Sequence, residues 1–447
     1  MKAFKAYDIR GVYNRDFTRD DVYKIGFWIP RLLEADSVLV GRDVRESSEE
    51  IFSSLVQGIC DSGADAVSIG LSTTPKVYYL TAKLGFRASV MITASHNSKE
   101  YNGMKISREN ALPVGSDSGL KELEQMMLTR AIDPVQEHKR GTLIEYVDDG
   151  AYLNFLRQYL PDLSSLNVTI DCSNGMANLL VKDLFGDAPH YLFDEYDGTF
   201  PNHEPNPLIE ENLEDLKRAV LANKSDLGVI YDGAADRVMF VDEEARFIQP
   251  DLIIAVLGRS FLKDAPAVVL QDIRTSRSVT EYLQKLGAEV HTWKVGHSFA
   301  KRKMRELDAL FGGELAGHYY FRDFFYCDSG FLASLIVLKT AADLKAEGRT
   351  FSSLIDEIVR YHTSGEINFH IERKSEAMEA LKEHYTRDLQ PEKIMDFDGY
   401  RIEFPDWWFN VRPSNTEPYL RLVVEARTSN LLNEKLAELN SILDVYH

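Results

Sequence analysis

The chain has 447 residues, which at roughly 150 per domain points to three domains, or four if one is small. Apolar residues make up 44% and charged residues 27%, enough for packed cores and incompatible with a disordered chain, and no uncharged apolar run reaches the ~18 residues of a membrane span. A net charge of −19 repels nucleic-acid phosphates and no long Lys/Arg run overrides it, so neither nucleic acid nor a membrane is an expected partner.

An anionic ligand must then be captured by a local cluster of positive charge in a cleft. The opening segment, residues 1–8, carries no apolar core with a cleavage site, so no secretory signal is expected. Three scattered cysteines (Cys60, Cys172, Cys327) suit neither a disulfide framework nor a zinc site. A cytoplasmic location is the expectation.

Along the chain, Val22, Ile25, Ile29 and Leu32 recur at helical spacing, and residues 37–40 read as a short buried strand. The polar turn 41–48 opens a helix to about residue 62; strands follow over 66–69 and 88–92, the latter running into Thr93-Ala94-Ser95-His96-Asn97. A second unit repeats the order: a strand over 168–170 enters Asp171-Cys172-Ser173-Asn174-Gly175, then a strand over 227–231 enters Asp232-Gly233-Ala234-Ala235-Asp236-Arg237. A third copy starts with a strand over 267–270 leading to Gln271-Asp272-Ile273-Arg274, and ends at Gly313-Glu314-Leu315-Ala316-Gly317-His318. From about Gly365 the pattern changes to strands over 366–371, 400–404 and 419–425 with two helices, the last carrying Leu432, Leu436, Leu439 and Leu443 on one stripe. The expected fold is α/β: three related mixed α/β domains (1–147, 148–247, 248–364), then a smaller α+β domain (365–447), around a central cleft. Each of the first three sets a polar loop at the C-terminal end of a strand, where α/β sheets bind ligands.

Four loops carry chemistry. Ser95, flanked by Thr93, His96 and Asn97, presents a hydroxyl that can act as nucleophile or phosphate carrier, and the ammonium of Lys105 lies ten positions on. Asp232 and Asp236 bracket a tight turn and suit a hard cation such as Mg²⁺, and Arg237 beside them adds the positive charge a phosphoryl oxygen needs. Glu314 and His318 can exchange hydrogen bonds with sugar hydroxyls, and Lys294, Gly296 and His297 form a further polar loop in the same domain. Arg412, Ser414, Asn415, Thr416 and Arg421 form an anion cradle of guanidinium forks, hydroxyls and turn amides. Taken alone, Ser95, Lys105 and the third-domain loops read as ordinary polar residues, whereas Arg237 beside the two aspartates, and two arginines bracketing Ser414-Asn415-Thr416, favour phosphate binding over a bare turn. No Gly-x-x-x-x-Gly-Lys-Ser/Thr and no Gly-x-Gly-x-x-Gly after a strand occurs, so neither a P-loop enzyme nor a dinucleotide dehydrogenase is supported.

Together and in this order, the loops resemble the phosphohexomutase family, the phosphomannomutases and phosphoglucomutases. Tyr7-Asp8-Ile9-Arg10-Gly11 is similar to the family's opening motif, and the segments around Ser95, Asp232, Glu314 and Arg412 to its phosphoserine, metal, sugar and phosphate loops. The stretch from His318 to Gly330 looks most like the bacterial phosphomannomutase branch. The resemblance implies that a phosphorylated Ser95, primed by a hexose bisphosphate, passes its phosphoryl group to a hexose monophosphate and recovers the other phosphate after the bisphosphorylated sugar reorients. It implies that Mg²⁺ is held by Ser95, Asp232 and Asp236, that Arg10, Lys105 and His96 act beside Ser95, and that Tyr7, Arg237, Lys294, His297, Glu314 and His318 meet the substrate. It implies, too, that the last domain clamps the distal phosphate. Two departures stand out: Ala234 replaces the family's middle metal-loop aspartate, so weaker metal binding is expected, and Ala316 replaces a serine in the sugar loop. The alternatives are a mutase of amino-sugar phosphates and a non-catalytic phosphosugar-binding relative.

Overall fold

The alternation of apolar strands and amphipathic helices is realised as four sheets, seen in a computed structural model that describes residues 1–262, 265–387, 389–414 and 419–446. The first sheet contains β1 (Ile9–Val12), β2 (Ser37–Arg42), β3 (Asp65–Leu71), β4 (Ala88–Ile92), β5 (Tyr101–Arg108), β6 (Leu112–Pro113) and β7 (Leu143–Glu145), ordered β1-β5-β4-β2-β3-β7 with β6 on β5. The second is β12-β11-β10-β8-β9, built from β8 (Val168–Asp171), β9 (His190–Leu192), β10 (Leu227–Tyr231), β11 (Val238–Asp242) and β12 (Phe247–Ile248). The third is β14-β13-β15-β16-β17, from β13 (Val268–Asp272), β14 (Glu289–Trp293), β15 (Phe311–Gly313), β16 (Tyr319–Phe321) and β17 (Cys327–Asp328).

The internal repeat has a structural counterpart. In each of these sheets one strand (β4, β10 or β15) is parallel to its neighbour on one side and antiparallel to the next strand of the chain on the other. The polar loop sits in that turn, so three copies of one strand–loop–strand device present Ser95, Asp232 and Glu314.

The fourth sheet, β18-β22-β21-β20-β19, is wholly antiparallel and consists of β18 (His362–Phe369), β19 (Lys393–Met395), β20 (Tyr400–Glu403), β21 (Trp407–Pro413) and β22 (Leu420–Ala426). Two of the divisions expected from sequence, 247/248 and 364/365, fall inside β12 and β18. In β18 the Ser364-Gly365 pair that reads as a boundary is instead an irregularity within the strand, where the register to β22 shifts between Thr363 and Glu366.

Packing divides the molecule unequally. One apolar core runs continuously from Leu39 to Ile358 through parts of all three α/β units, while the fourth has its own core around Tyr385, Trp407, Phe409 and Val424. The helix Gly330–Ala346, apolar on nearly all sides, fits that shared core, since a helix without a polar face must be buried. Ser329 caps it by accepting from the Leu332 N–H (3.1 Å), and Ser334 on it meets the Tyr231 hydroxyl at the end of β10 (2.6 Å). The fourth unit instead joins the third mainly by polar contacts: Arg401 donates to the carbonyls of Ile273 and Thr275, and Arg277 to those of Phe404 and Pro405. Among the described residues no helix is long and apolar enough to cross a membrane.

Candidate active site

Ser95 lies at the end of β4 with its backbone at φ +54°, in the left-handed region that non-glycine residues rarely adopt. The loop is held there by two devices. Thr93 Oγ1 accepts from the Ser95 N–H (2.8 Å), and the buried Arg45 guanidinium donates to the carbonyls of Ser95 (3.0 Å), Asn97 (2.6 Å), Ser98 (2.7 Å) and Tyr101 (3.1 Å). Arg45 is itself fixed by Asp43, at 3.1 Å. The Asp43-Val44-Arg45 segment recurs in the third unit as Asp272-Ile273-Arg274, the one sequence signal for this structural role.

The Ser95 hydroxyl donates to Asp232 Oδ2 (2.6 Å) and lies 3.3 Å from Asp236 Oδ1, with His96 Nδ1 at 3.4 Å. Lys105, on β5, pairs with Asp236 Oδ2, and Arg10 donates to Asn97 Oδ1 (2.9 Å) while pairing with Asp8 (2.5 Å). The electrostatics separate the two aspartates. Burial, then the charge of Asp236, pushes the Asp232 carboxyl up to about 7. Burial would raise Asp236 as well, but the Lys105 ammonium against it and the nearby Arg237 take it well below the ordinary carboxylate range. His96 is held well below its usual value by burial and the Arg237 and Arg10 charges, so the ring is neutral at pH 7.

Three buried oxygen donors, one hydroxyl and two carboxylates, thus converge from two loops. Such a hard donor set fits a magnesium-sized cation, with Ser95, Asp232 and Asp236 holding it. Ala234, fully buried between the aspartates, brings no ligand. A second cluster, Asp236, His318 and Asp328, also offers ligand atoms within 4.8 Å of one another. Its acceptors are already taken by cationic side chains, however, which makes it an ion-pair network first.

The third loop arranges its groups through backbone contacts. Gly296 donates to Glu314 Oε1 (2.9 Å) and Leu315 to Asp272 Oδ2 (2.8 Å). Burial and the neighbouring Asp272 push the Glu314 carboxyl up to about 7. His318 pairs as an isolated bridge with Arg237 and uses both ring nitrogens: Arg237 Nε donates to its Nε2 (3.0 Å), and its Nδ1 meets Asp328 Oδ2 (2.6 Å). His297 is buried, with Nδ1 lacking a hydrogen-bond partner among the described residues, beside the edge of Tyr7 at a centroid distance of 5.6 Å. The Tyr7 hydroxyl donates to the Val295 carbonyl (3.1 Å), and Lys294 lies 5.8 Å from the Phe299 ring centroid. Lys301 and Asp328, which complete this region, were not singled out from sequence.

The fourth-unit residues form a separate cluster. Arg412 is buried, with Nε 3.2 Å from Asp398, and Arg421 pairs with Glu366 at 2.8 Å. Ser414 follows β21; Asn415 and Thr416 lie outside the described residues. Among the described residues these elements make no hydrogen bond or ion pair with the Ser95 loop. They contact the third unit instead, through Arg274–Glu366 (2.9 Å) and the Val295 N–H to Asp398 (2.8 Å).

Comparison with known proteins covers nearly the whole chain. The phosphoglucomutase/phosphomannomutase alpha/beta/alpha domain I, II and III models match residues 1–131, 145–245 and 249–361, and the C-terminal domain model residues 366–441. A phosphomannomutase of Escherichia coli is 36% identical, and phosphohexose mutases of Xanthomonas campestris are 37% identical, each alignment spanning 99% of both chains. The crystal structure of a phosphoglucomutase/phosphomannomutase family protein from Burkholderia thailandensis superposes with a TM-score of 0.89 at 27% identity, covering 100% of this chain and 97% of the other.

Proposed function

The chain belongs to the phosphoglucomutase/phosphomannomutase family, and from that premise we propose that it is an isomerase interconverting hexose 1-phosphate and 6-phosphate, of mannose and/or glucose, through a phosphorylated Ser95. The observation that carries this reading is the buried Ser95 hydroxyl, aimed at Asp232 and one carboxylate away from the Lys105 ammonium.

In the forward transfer the bond from Ser95 Oγ to phosphorus breaks and the free hydroxyl oxygen of the sugar monophosphate bonds to phosphorus. The hydroxyl proton ends on Ser95 Oγ. We assign the relay to Lys105, whose Nζ pairs with Oδ2 of Asp236 while Oδ1 of the same carboxylate lies 3.3 Å from Oγ: an ammonium proton goes to the departing oxygen and the sugar hydroxyl resupplies the amine. Arg10, always charged, stabilises the phosphoryl oxygens rather than moving a proton. A magnesium ion held by Ser95, Asp232 and Asp236 supplies positive charge to those oxygens when bound. Glu314 reads sugar hydroxyls, Lys294, His297 and Tyr7 line the sugar side, and Arg412, Ser414 and Arg421, with Asn415 and Thr416, clamp the distal phosphate. Because phosphate is bound as a symmetric anion, one clamp serves both orientations of the bisphosphorylated sugar.

Intact-protein mass spectrometry is expected to find one phosphate increment on the peptide containing Ser95. A coupled assay is expected to convert mannose 1-phosphate or glucose 1-phosphate to the 6-phosphate, with turnover abolished in Ser95→Ala. Turnover of glucosamine phosphates alone would move the substrate to amino sugars, and a wild type inert on all three would reduce the chain to a binding protein.

A further inference from the structure

Behind the Ser95 and Asp232 loops runs a buried chain of one ion pair and two hydrogen bonds that the reaction scheme does not use. Lys301, on the helix His297–Glu306, is fully buried with its Nζ 3.6 Å from the Tyr78 ring centroid and 2.7 Å from Asp328 Oδ1. Asp328, also fully buried at the end of β17, places Oδ2 2.6 Å from His318 Nδ1. His318 Nε2 in turn lies 3.0 Å from Arg237 Nε.

The direction of this chain is fixed by chemistry. A guanidinium cannot accept a hydrogen bond, so Arg237 Nε–H is the donor and His318 Nε2 must be bare. The proton of a neutral imidazole then sits on Nδ1 and is donated to Asp328, whose ionised form is held by the Lys301 ammonium. A doubly protonated ring is excluded, because Nε2–H would face the Arg237 Nε–H. The electrostatics agree: burial and the Arg237 charge lower His318, while against burial the Lys301 charge and the hydrogen bond from His318 hold Asp328 below the ordinary carboxylate range.

The chain ends at a consequential place. Arg237 is tied at its backbone, whose N–H meets Asp232 Oδ1 at 3.3 Å, and at Nε by His318. Among the described residues no hydrogen bond takes its two terminal nitrogens, which leaves a fork of fixed plane on the loop that meets Ser95 through Asp232, suited to a pair of phosphoryl oxygens. We propose that Lys301 and Asp328 are positioning residues for phosphoryl transfer, holding His318 as the Nδ1–H tautomer so that its Nε2 fixes the Arg237 guanidinium. His318 thereby serves Arg237 instead of a sugar hydroxyl, which its occupied nitrogens could not reach. This inference rests on the mutase reading for its kinetic consequence, but not for the hydrogen-bond assignment.

The two parts are separated by the measurement. With ¹⁵N-labelled histidine in the intact wild-type protein, and His318→Gln to assign the resonance, long-range ¹H–¹⁵N spectra at pH 7 are expected to show His318 as the neutral Nδ1–H tautomer. An Nε2–H tautomer or an imidazolium overturns the assignment whatever the protein catalyses. In Asp328→Ala the kcat for hexose phosphate is expected to fall about 30-fold with KM within about twofold, as for an interaction made chiefly in the transition state. Asp328→Asn keeps an accepting oxygen and is expected to recover at least a third of that loss on a logarithmic scale. Melting curves taken beside the kinetics give the folded fraction; a kcat loss explained wholly by unfolding, or an unchanged kcat in folded Asp328→Ala, overturns the positioning role. A wild type that shows the Nδ1–H tautomer but no turnover overturns the mutase reading and, with it, the kinetic half of the proposal only.

Discussion

A Cβ added to Gly233 would stand 2.5 Å from the Ser95 carbonyl oxygen, closer than side-chain carbons come to backbone, so the Asp232 loop approaches the Ser95 loop only because that residue has no side chain. Gly233→Ala must push the loops apart by a large part of an ångström. Misplacement of that order costs about 100-fold in rate when it falls between reacting groups. The expected result is a kcat lowered by that factor in a protein that still folds, read by steady-state kinetics beside circular dichroism. The neighbouring residue argues differently. Ala234 is fully buried and its carbonyl accepts from the Thr74 N–H (3.1 Å), so the turn is anchored whatever side chain it carries. Ala234→Asp then adds a third carboxylate to a set of two, and calorimetric titration is expected to show Mg²⁺ bound about tenfold more tightly. Equal affinities would mean that position 234 does not face the cation.

At the scale of elements, the strand-end loops depend on the Asp-x-Arg segments that follow β2 and β13. Arg45 gives its guanidinium to four carbonyls of the Ser95 loop, while Arg274, equally bonded to its own Asp272, turns to Glu366 of the fourth unit. Arg45→Met leaves those carbonyls without donors and Asp43 without its cation. The expected loss is about 3 kcal/mol of stability, measured by denaturant unfolding, with a larger proportional loss of kcat than of KM. The same comparison shows what the sequence carries and what it does not. Ser95, Asp232 and Glu314 are legible because glycine and short polar residues break an apolar strand at matching points of three repeats. The strands and the helix stripe through Leu432 and Leu439 are legible from periodicity. Lys301 and Asp328 are not: one sits on a helix face, the other at a strand end, and only the packing of the third unit brings their charges together. Burial of a lysine leaves no mark on composition, and a tautomer is fixed by neighbours distant in sequence.

On the scale of the whole molecule, the shared apolar core makes the first three units one body, whereas the fourth is attached through arginines, carbonyls and carboxylates around a cavity of about 270 Å³. Asp251, in the first turn of the helix Pro250–Phe261, faces that cavity together with Glu425 and Trp408. Its Oδ2 accepts from the Ser276 N–H at 2.8 Å, but burial, aided by the charges of Glu425 and Asp272, pushes its carboxyl from 3.8 up to about 7. The folded protein therefore keeps a proton on Asp251 that the unfolded chain releases above about pH 4. Between about pH 4 and 7 the native state binds more protons than the unfolded one, so this group's contribution to stability is complete below pH 4 and falls as pH rises, flattening once both states are ionised above 7. One proton corresponds to a slope of at most about 1.4 kcal/mol per pH unit in that window. Asp251→Asn retains an oxygen for the Ser276 N–H and has no proton to lose. Unfolding of the variant, followed by tryptophan fluorescence against denaturant at pH 5, 6, 7 and 8, is expected to show a slope less negative than the wild type's by up to that one-proton amount, the raised Asp232 and Glu314 carboxyls keeping theirs, and to exceed the wild type in stability at pH 8. A variant with the wild-type slope would place the titration elsewhere, on Glu425 across the same cavity.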